Sequence, residues 1–125
     1  MKNEKINMEK VRLVNLTQHD IVVFDQNGNE VLRVPPSGIT ARVEQSETQV
    51  GYINGVPVYK VTYGDIQNLP EPQENTIYIA SLLVLQALQA KGIQRQDVVA
   101  PNTGPNSVVR DQQGRIVGVK SFIVL

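Results

Sequence analysis

The chain contains no cysteine. That excludes a disulfide framework, a thiolate zinc site and a cysteine nucleophile. It contains a single histidine, His19, and its acidic residues are scattered, so a clustered His/Asp/Glu metal centre has too few parts and no metal is expected. Charge of one sign is not in excess: Lys plus Arg and Asp plus Glu number 12 each. A dedicated nucleic-acid binder carries a basic surplus, so a nucleic-acid polymer is not an expected partner. No apolar run reaches the length of a membrane span, and the polar start MKNEKINMEK lacks the apolar segment of a secretory signal. A cytoplasmic protein without a membrane partner is the expectation. The Walker A loop, G-x-G-x-x-G and G-x-S-x-G are missing too, so no cofactor is expected from motif.

What is present suits one domain. The length is 125 residues and 41% are apolar, enough for a core without metal or cross-links. Residues 1–10 read as a flexible polar leader and 11–125 as the domain. β-branched runs at VRLVN and IVVF read as strands. Asn27 and Gly28 fold IVVFD back on EVLRV, because Asn-Gly tolerates positive φ. Pro35 and Pro36 end that strand. ITARVEQ reads as a separate strand, followed by a hairpin turning at Asn54 and Gly55. There Tyr59, Val61 and Tyr63 share one face. The Pro-rich stretch at 64–75 reads as a connector.

The pattern then changes. TIYIA is a buried strand, Ser81 can N-cap a helix from Leu82, and Gly92 can stop it. DVVAP is a strand again, which makes a βαβ unit with two parallel strands. The C-terminal SVVRDQQGRIVGVKSFIVL reads as a hairpin about residues 111–114, with a long, apolar and central last strand. The expected fold is α+β: a single mixed β-sheet domain with several hairpins, one βαβ unit and one principal helix.

Ligands of open α/β sheets lie beyond the carboxyl ends of parallel strands. Two segments reach that edge. One is Ser81, at a helix start whose free N–H groups favour an anion. The other is PNTGPNS, residues 101–107, in which Asn102, Thr103, Gly104, Asn106 and Ser107 offer amides and hydroxyls, and proline limits flexibility. The alternative for this loop is plain turn chemistry. If the first strand is parallel to the βαβ pair, Asn15, Thr17 and His19 join the same edge. Histidine changes charge near neutrality and can bind phosphate or move a proton, or it can simply complete a turn. Arg110 can clamp a phosphate or pair on the surface, and Arg42 can face a pocket or solvent. Ser81, Thr103 and Ser107 have no identifiable neighbouring base, and Glu71 and Glu74 sit in the connector, so no catalytic set is assigned.

N-L-T-Q-H at 15–19, P-P-S-G at 35–38, A-R-V at 41–43, N-L-P-E-P at 68–72, T-I-Y-I-A-S at 76–81, V-V-A-P-N-T at 98–103 and V-R-D-Q-Q-G-R-I-V-G at 109–118 carry a resemblance. In these words the chain resembles a family of small phage, prophage and bacterial proteins with an N-L-T-x-H motif near the N-terminus. The family more often has proline where this chain has Gln18, which leaves His19 in place. The resemblance covers nearly the whole chain from Val11 and implies a phage or prophage context, not a reaction. Small phage proteins of that context include sponges that sequester nucleotide immune signals, an analogy only.

Three readings follow. The first is a non-enzymatic binder of a small anionic, nucleotide-derived ligand. The second is a structural or protein-interaction module, assembling through edge strands or the apolar SFIVL. The third is a nucleotide phosphodiesterase or hydrolase using His19. A homo-oligomer is expected under the first two.

Overall fold

A computed structural model describes residues 10–125. The polar leader expected over 1–10 lies, apart from Lys10, outside the described residues. Ten strands and one helix follow in chain order: β1 (Arg12–Asn15), β2 (Ile21–Phe24), β3 (Glu30–Val34), β4 (Arg42–Ile53), β5 (Val56–Gln67), β6 (Thr76–Ile79), α1 (Leu82–Ala90), β7 (Val98–Pro101), β8 (Val109–Arg110), β9 (Ile116–Gly118) and β10 (Phe122–Ile123). The class is α+β, as the sequence predicts.

The central sheet has the order β1-β6-β7-β10. β1, β6 and β7 run parallel, and β10 is antiparallel to β7, so the sheet is mixed. β6 lies inside the sheet and is buried at every position, which explains why TIYI reads as continuously apolar rather than alternating. α1 connects β6 to β7 and buries Val84, Leu85, Ala87 and Leu88 on one face. Val84, Leu85 and Leu88 pack with Leu16, Ala41, Tyr78, Ala80, Val98 and Ala100. Fully burying a Val or Leu side chain contributes roughly 1.5–3 kcal/mol, so this face fixes the helix far more than its short length does. Gly92, at φ 69°, stops it. Its N–H donates to Gln89 O at 3.1 Å and the Ile93 N–H to Leu88 O at 2.9 Å, the paired bonds of a Schellman ending.

Three two-stranded hairpins surround this sheet: β2–β3, β4–β5 and β8–β9. Asn54 and Gly55 both take positive φ, 51° and 81°, as a two-residue hairpin turn requires. At the first hairpin only Gly28 does so. There the Asp25 carboxylate accepts the N–H groups of Asn27 and Asn29, each at 2.9 Å, and closes the turn. These bonds, that to Asn29 foremost, hold the Asp25 carboxyl below its ordinary range.

Three expectations need correction. ITARVEQ and QVGYI are not separate strands. β4 is continuous for 12 residues, because β5 pairs with it from Arg42 to Ile53 and holds Ser46, Glu47 and Thr48 in the ladder. Register shifts at Val43/Gln45 and Gln49/Gly51 take up the irregularity as bulges. β5 likewise extends to Gln67, so the connector is shorter than expected. Finally, the last strand is neither long nor central. Only Phe122 and Ile123 pair, at the sheet margin, after the chain has turned aside at Lys120 and Ser121 to bond the 102–107 loop.

Candidate functional site

The parallel strands end in register. Asn15 lies opposite Ile79, and Ile79 opposite Val99. Leu16 N–H continues the ladder to Ile79 O at 2.8 Å, and Ala80 N–H to Val99 O at 2.9 Å. The turns after β1, β6 and β7 therefore leave the same sheet edge, with Ser81 between the other two. With strands about 4.8 Å apart, the outer turns start about 10 Å from each other.

Each predicted residue has a definite setting there. Asn15 is buried, and all its polar capacity is engaged. Its Nδ2 donates to His19 O at 2.7 Å and Val34 O at 2.9 Å, while Oδ1 accepts the Thr17 N–H at 2.8 Å and hydroxyl at 2.7 Å. Asn15 and Thr17 thus shape the turn that carries His19. His19 itself is exposed. Ser81 occupies the N-cap position with extended backbone (φ −75°, ψ 160°), yet its hydroxyl makes no capping bond. The first-turn amides of α1 lack that side-chain partner, and no acidic residue lies in the first turn.

In the loop after β7, Asn102 Oδ1 accepts the Gly104 N–H at 3.0 Å, and Asn102 Nδ2 donates to Ser121 Oγ at 3.1 Å. Ser107 is buried. Its Oγ accepts the Lys120 N–H at 3.0 Å, and its carbonyl accepts the same N–H at 2.9 Å. Thr103 and Asn106 are exposed. Arg110 does not join these turns by any hydrogen bond. Its Nη1 donates to Gly114 O at 2.6 Å across its own hairpin. Arg42 points to solvent.

Two contributors escape a reading of the sequence. Ser121 and Lys120, from the chain's return, brace the 102–107 loop, and Lys120 has no carboxylate partner among the described residues. No local signal in GVKS marks them, because the pairing spans more than a dozen residues.

A cleft of about 460 Å³ lies elsewhere. Leu85, Leu88, Ile93, Val98, Val124 and Leu125 line it, at the amino end of β7 and the far end of α1. Arg95 beside it is held by Asp97 (2.8 and 2.9 Å) and by Pro70 O (2.8 Å). The guanidinium draws the Asp97 carboxyl below its ordinary range. Among the described residues no group of three or more His, Cys, Asp or Glu could hold a metal ion, and no helix is long and apolar enough to cross a membrane.

Comparison with protein-family models, curated proteins and solved structures finds no match to this chain.

Proposed function

We propose that the protein binds a small anionic, nucleotide-derived ligand at the carboxyl edge of its parallel strands, without turning it over. One observation carries this reading: the shared register of β1, β6 and β7, which brings an uncapped helix start and two polar turns to one edge. The amides of the first helical turn supply donors and partial positive charge. His19, Thr103 and Asn106 have exposed side chains available for contact. Asn15, Thr17, Asn102 and Ser107 support the site differently, through internal bonds that hold the turns in place and so reduce the ordering cost of binding.

The resemblance to phage and prophage proteins supplies the context of this reading. The ligand is then a host nucleotide immune signal, and the protein a sponge that lowers its free concentration in the host cytoplasm. Calorimetry against cyclic dinucleotides and ADP-ribose derivatives tests it, with chromatography of the same mixtures for products. Heat without products is expected. No heat with any compound contradicts it. New products make the protein an enzyme, and turnover retained in His19→Ala then removes His19 from that chemistry.

A second reading, an interaction module, is favoured by the exposed apolar residues of the β4–β5 hairpin.

A further inference from the structure

β4 and β5 leave the core together as a two-stranded arm. At its base, Val43 and Ile66 pack against the core beside α1. Each strand has 12 residues, so the arm is about 40 Å long at 3.4 Å per residue. Beyond the base, Val50, Tyr52, Ile53, Val56, Tyr59 and Val61 are exposed, Tyr52 to 69% and Ile53 to 65%. Tyr52 lies opposite Pro57, Gln49 opposite Tyr59 and Glu47 opposite Val61. Tyr52, Pro57, Tyr59 and Val61 therefore share one face, and Ile53, Val56 and Val58 the other.

An isolated two-stranded hairpin is marginal in water, and exposed edges are ordinarily protected by charge. The outer half of the arm lacks that protection: residues 48–59 include no Asp, Glu, Lys or Arg, and the arm's charged residues, Glu47 and Lys60 among them, lie closer to its base.

We propose that the outer half of the arm is a self-association surface, occupied by a second copy of this chain about a twofold axis. Such an interface sets a patch against itself, so any charge on it meets its own like near the axis. A segment without charge escapes that repulsion, and it offers nothing to a strongly charged partner such as nucleic acid. The net charge of zero adds no long-range repulsion between copies. On the shared face Tyr52, Tyr59 and Val61 present on the order of 350 Å², less than the ~800 Å² per partner of a standard stable interface, so the dimer is a weak one that dissociates on dilution. Tyrosine is enriched in such interfaces. The proposal does not depend on the ligand reading, because residues 48–59 include none of the residues assigned to the ligand site.

Sedimentation velocity and light scattering on a dilution series of the full chain test it. The expected mass at high concentration is twice 13.9 kDa, falling toward the monomer on dilution. Tyr52→Glu with Tyr59→Glu places like charges on the shared face and should weaken association by about a hundredfold or more. Val31→Glu, at an exposed position on β3, should leave it unchanged. Amide exchange over residues 48–59 should slow with concentration in the wild type alone, a readout that survives if the double variant folds poorly. A monomer at every concentration overturns the proposal, whether or not it co-sediments with phosphatidylcholine vesicles. So does a dimer that the double variant, native by circular dichroism, leaves intact. Equal weakening by Val31→Glu overturns it as well.

Discussion

Asn15 and Thr17 meet at a single oxygen: Oδ1 of the buried asparagine accepts both the Thr17 N–H and the Thr17 hydroxyl, at 2.8 and 2.7 Å. The same side chain donates to the carbonyls of His19 and Val34, tying the turn after β1 to the end of β3. Asn15→Ala removes a donor from each of those carbonyls, of which His19 O keeps the Thr17 hydroxyl at 3.1 Å, and takes away the side-chain acceptor of the Thr17 amide. It should cost about 1–3 kcal/mol in urea unfolding, with Thr17→Val costing less. Unchanged stability in Asn15→Ala would mean that water replaces the network.

Gly118 is required by close approach. A Cβ there would lie 2.7 Å from Val22 O and 2.5 Å from the Phe24 ring. The ring can move, but the carbonyl is fixed, since Val119 N–H donates to it at 3.0 Å. Gly118→Ala should lower stability by about 1–3 kcal/mol and loosen the contact between the first and last hairpins. Thermal unfolding measures it, and an unshifted midpoint would refute the packing described.

The Arg95–Asp97 pair makes an acid-dependent contribution. Arg95 lowers the Asp97 carboxyl from its ordinary 3.8. The folded state therefore binds its proton more weakly than the unfolded chain. The added stability is complete above that ordinary value and is lost as pH falls through the lower folded one. In Arg95→Gln the wild-type loss of stability below about pH 4 should be shallower. Chemical denaturation at a series of acid pH values reads this directly; parallel wild-type and variant profiles would assign the acid loss to other carboxylates.

Ser81→Asp separates stability from binding. A carboxylate at the N-cap accepts the amides the serine hydroxyl leaves free and opposes the helix dipole, a gain of about 0.5–1 kcal/mol. The same negative charge occupies the position assigned to the anion. The melting temperature should rise while the heat of nucleotide binding disappears. Retained affinity in a stabilised Ser81→Asp would move the ligand away from this helix start.

The legible parts of the fold were those written in local chemistry. Asn54 and Gly55 announce a two-residue turn because both must take positive φ, and Gly92 announces a helix end for the same reason. TIYIA, Ser81 and DVVAP announce a βαβ unit by length and spacing. What escaped depended on distance. β4 runs on through Ser46 and Thr48 because β5 pairs with it throughout, a partner no local window includes. The terminal SFIVL reads as a central strand by apolarity alone. Its first residues are instead drawn to Asn102 and Ser107, so only Phe122 and Ile123 reach the sheet. The candidate turns were legible as polar loops at one edge. That Asn15, Asn102 and Ser107 face inward was not, since asparagine and serine in a turn look the same whether they hold a ligand or the turn itself.

The most direct test of the central claim is a titration of isotope-labelled protein with cyclic dinucleotides and ADP-ribose derivatives, followed through backbone amide shifts. The account predicts saturable shifts centred on Leu82, Leu83, the 102–107 loop and His19. Shifts confined to the apolar cleft around Ile93, Arg95 and Leu125, or none at any concentration, would contradict it.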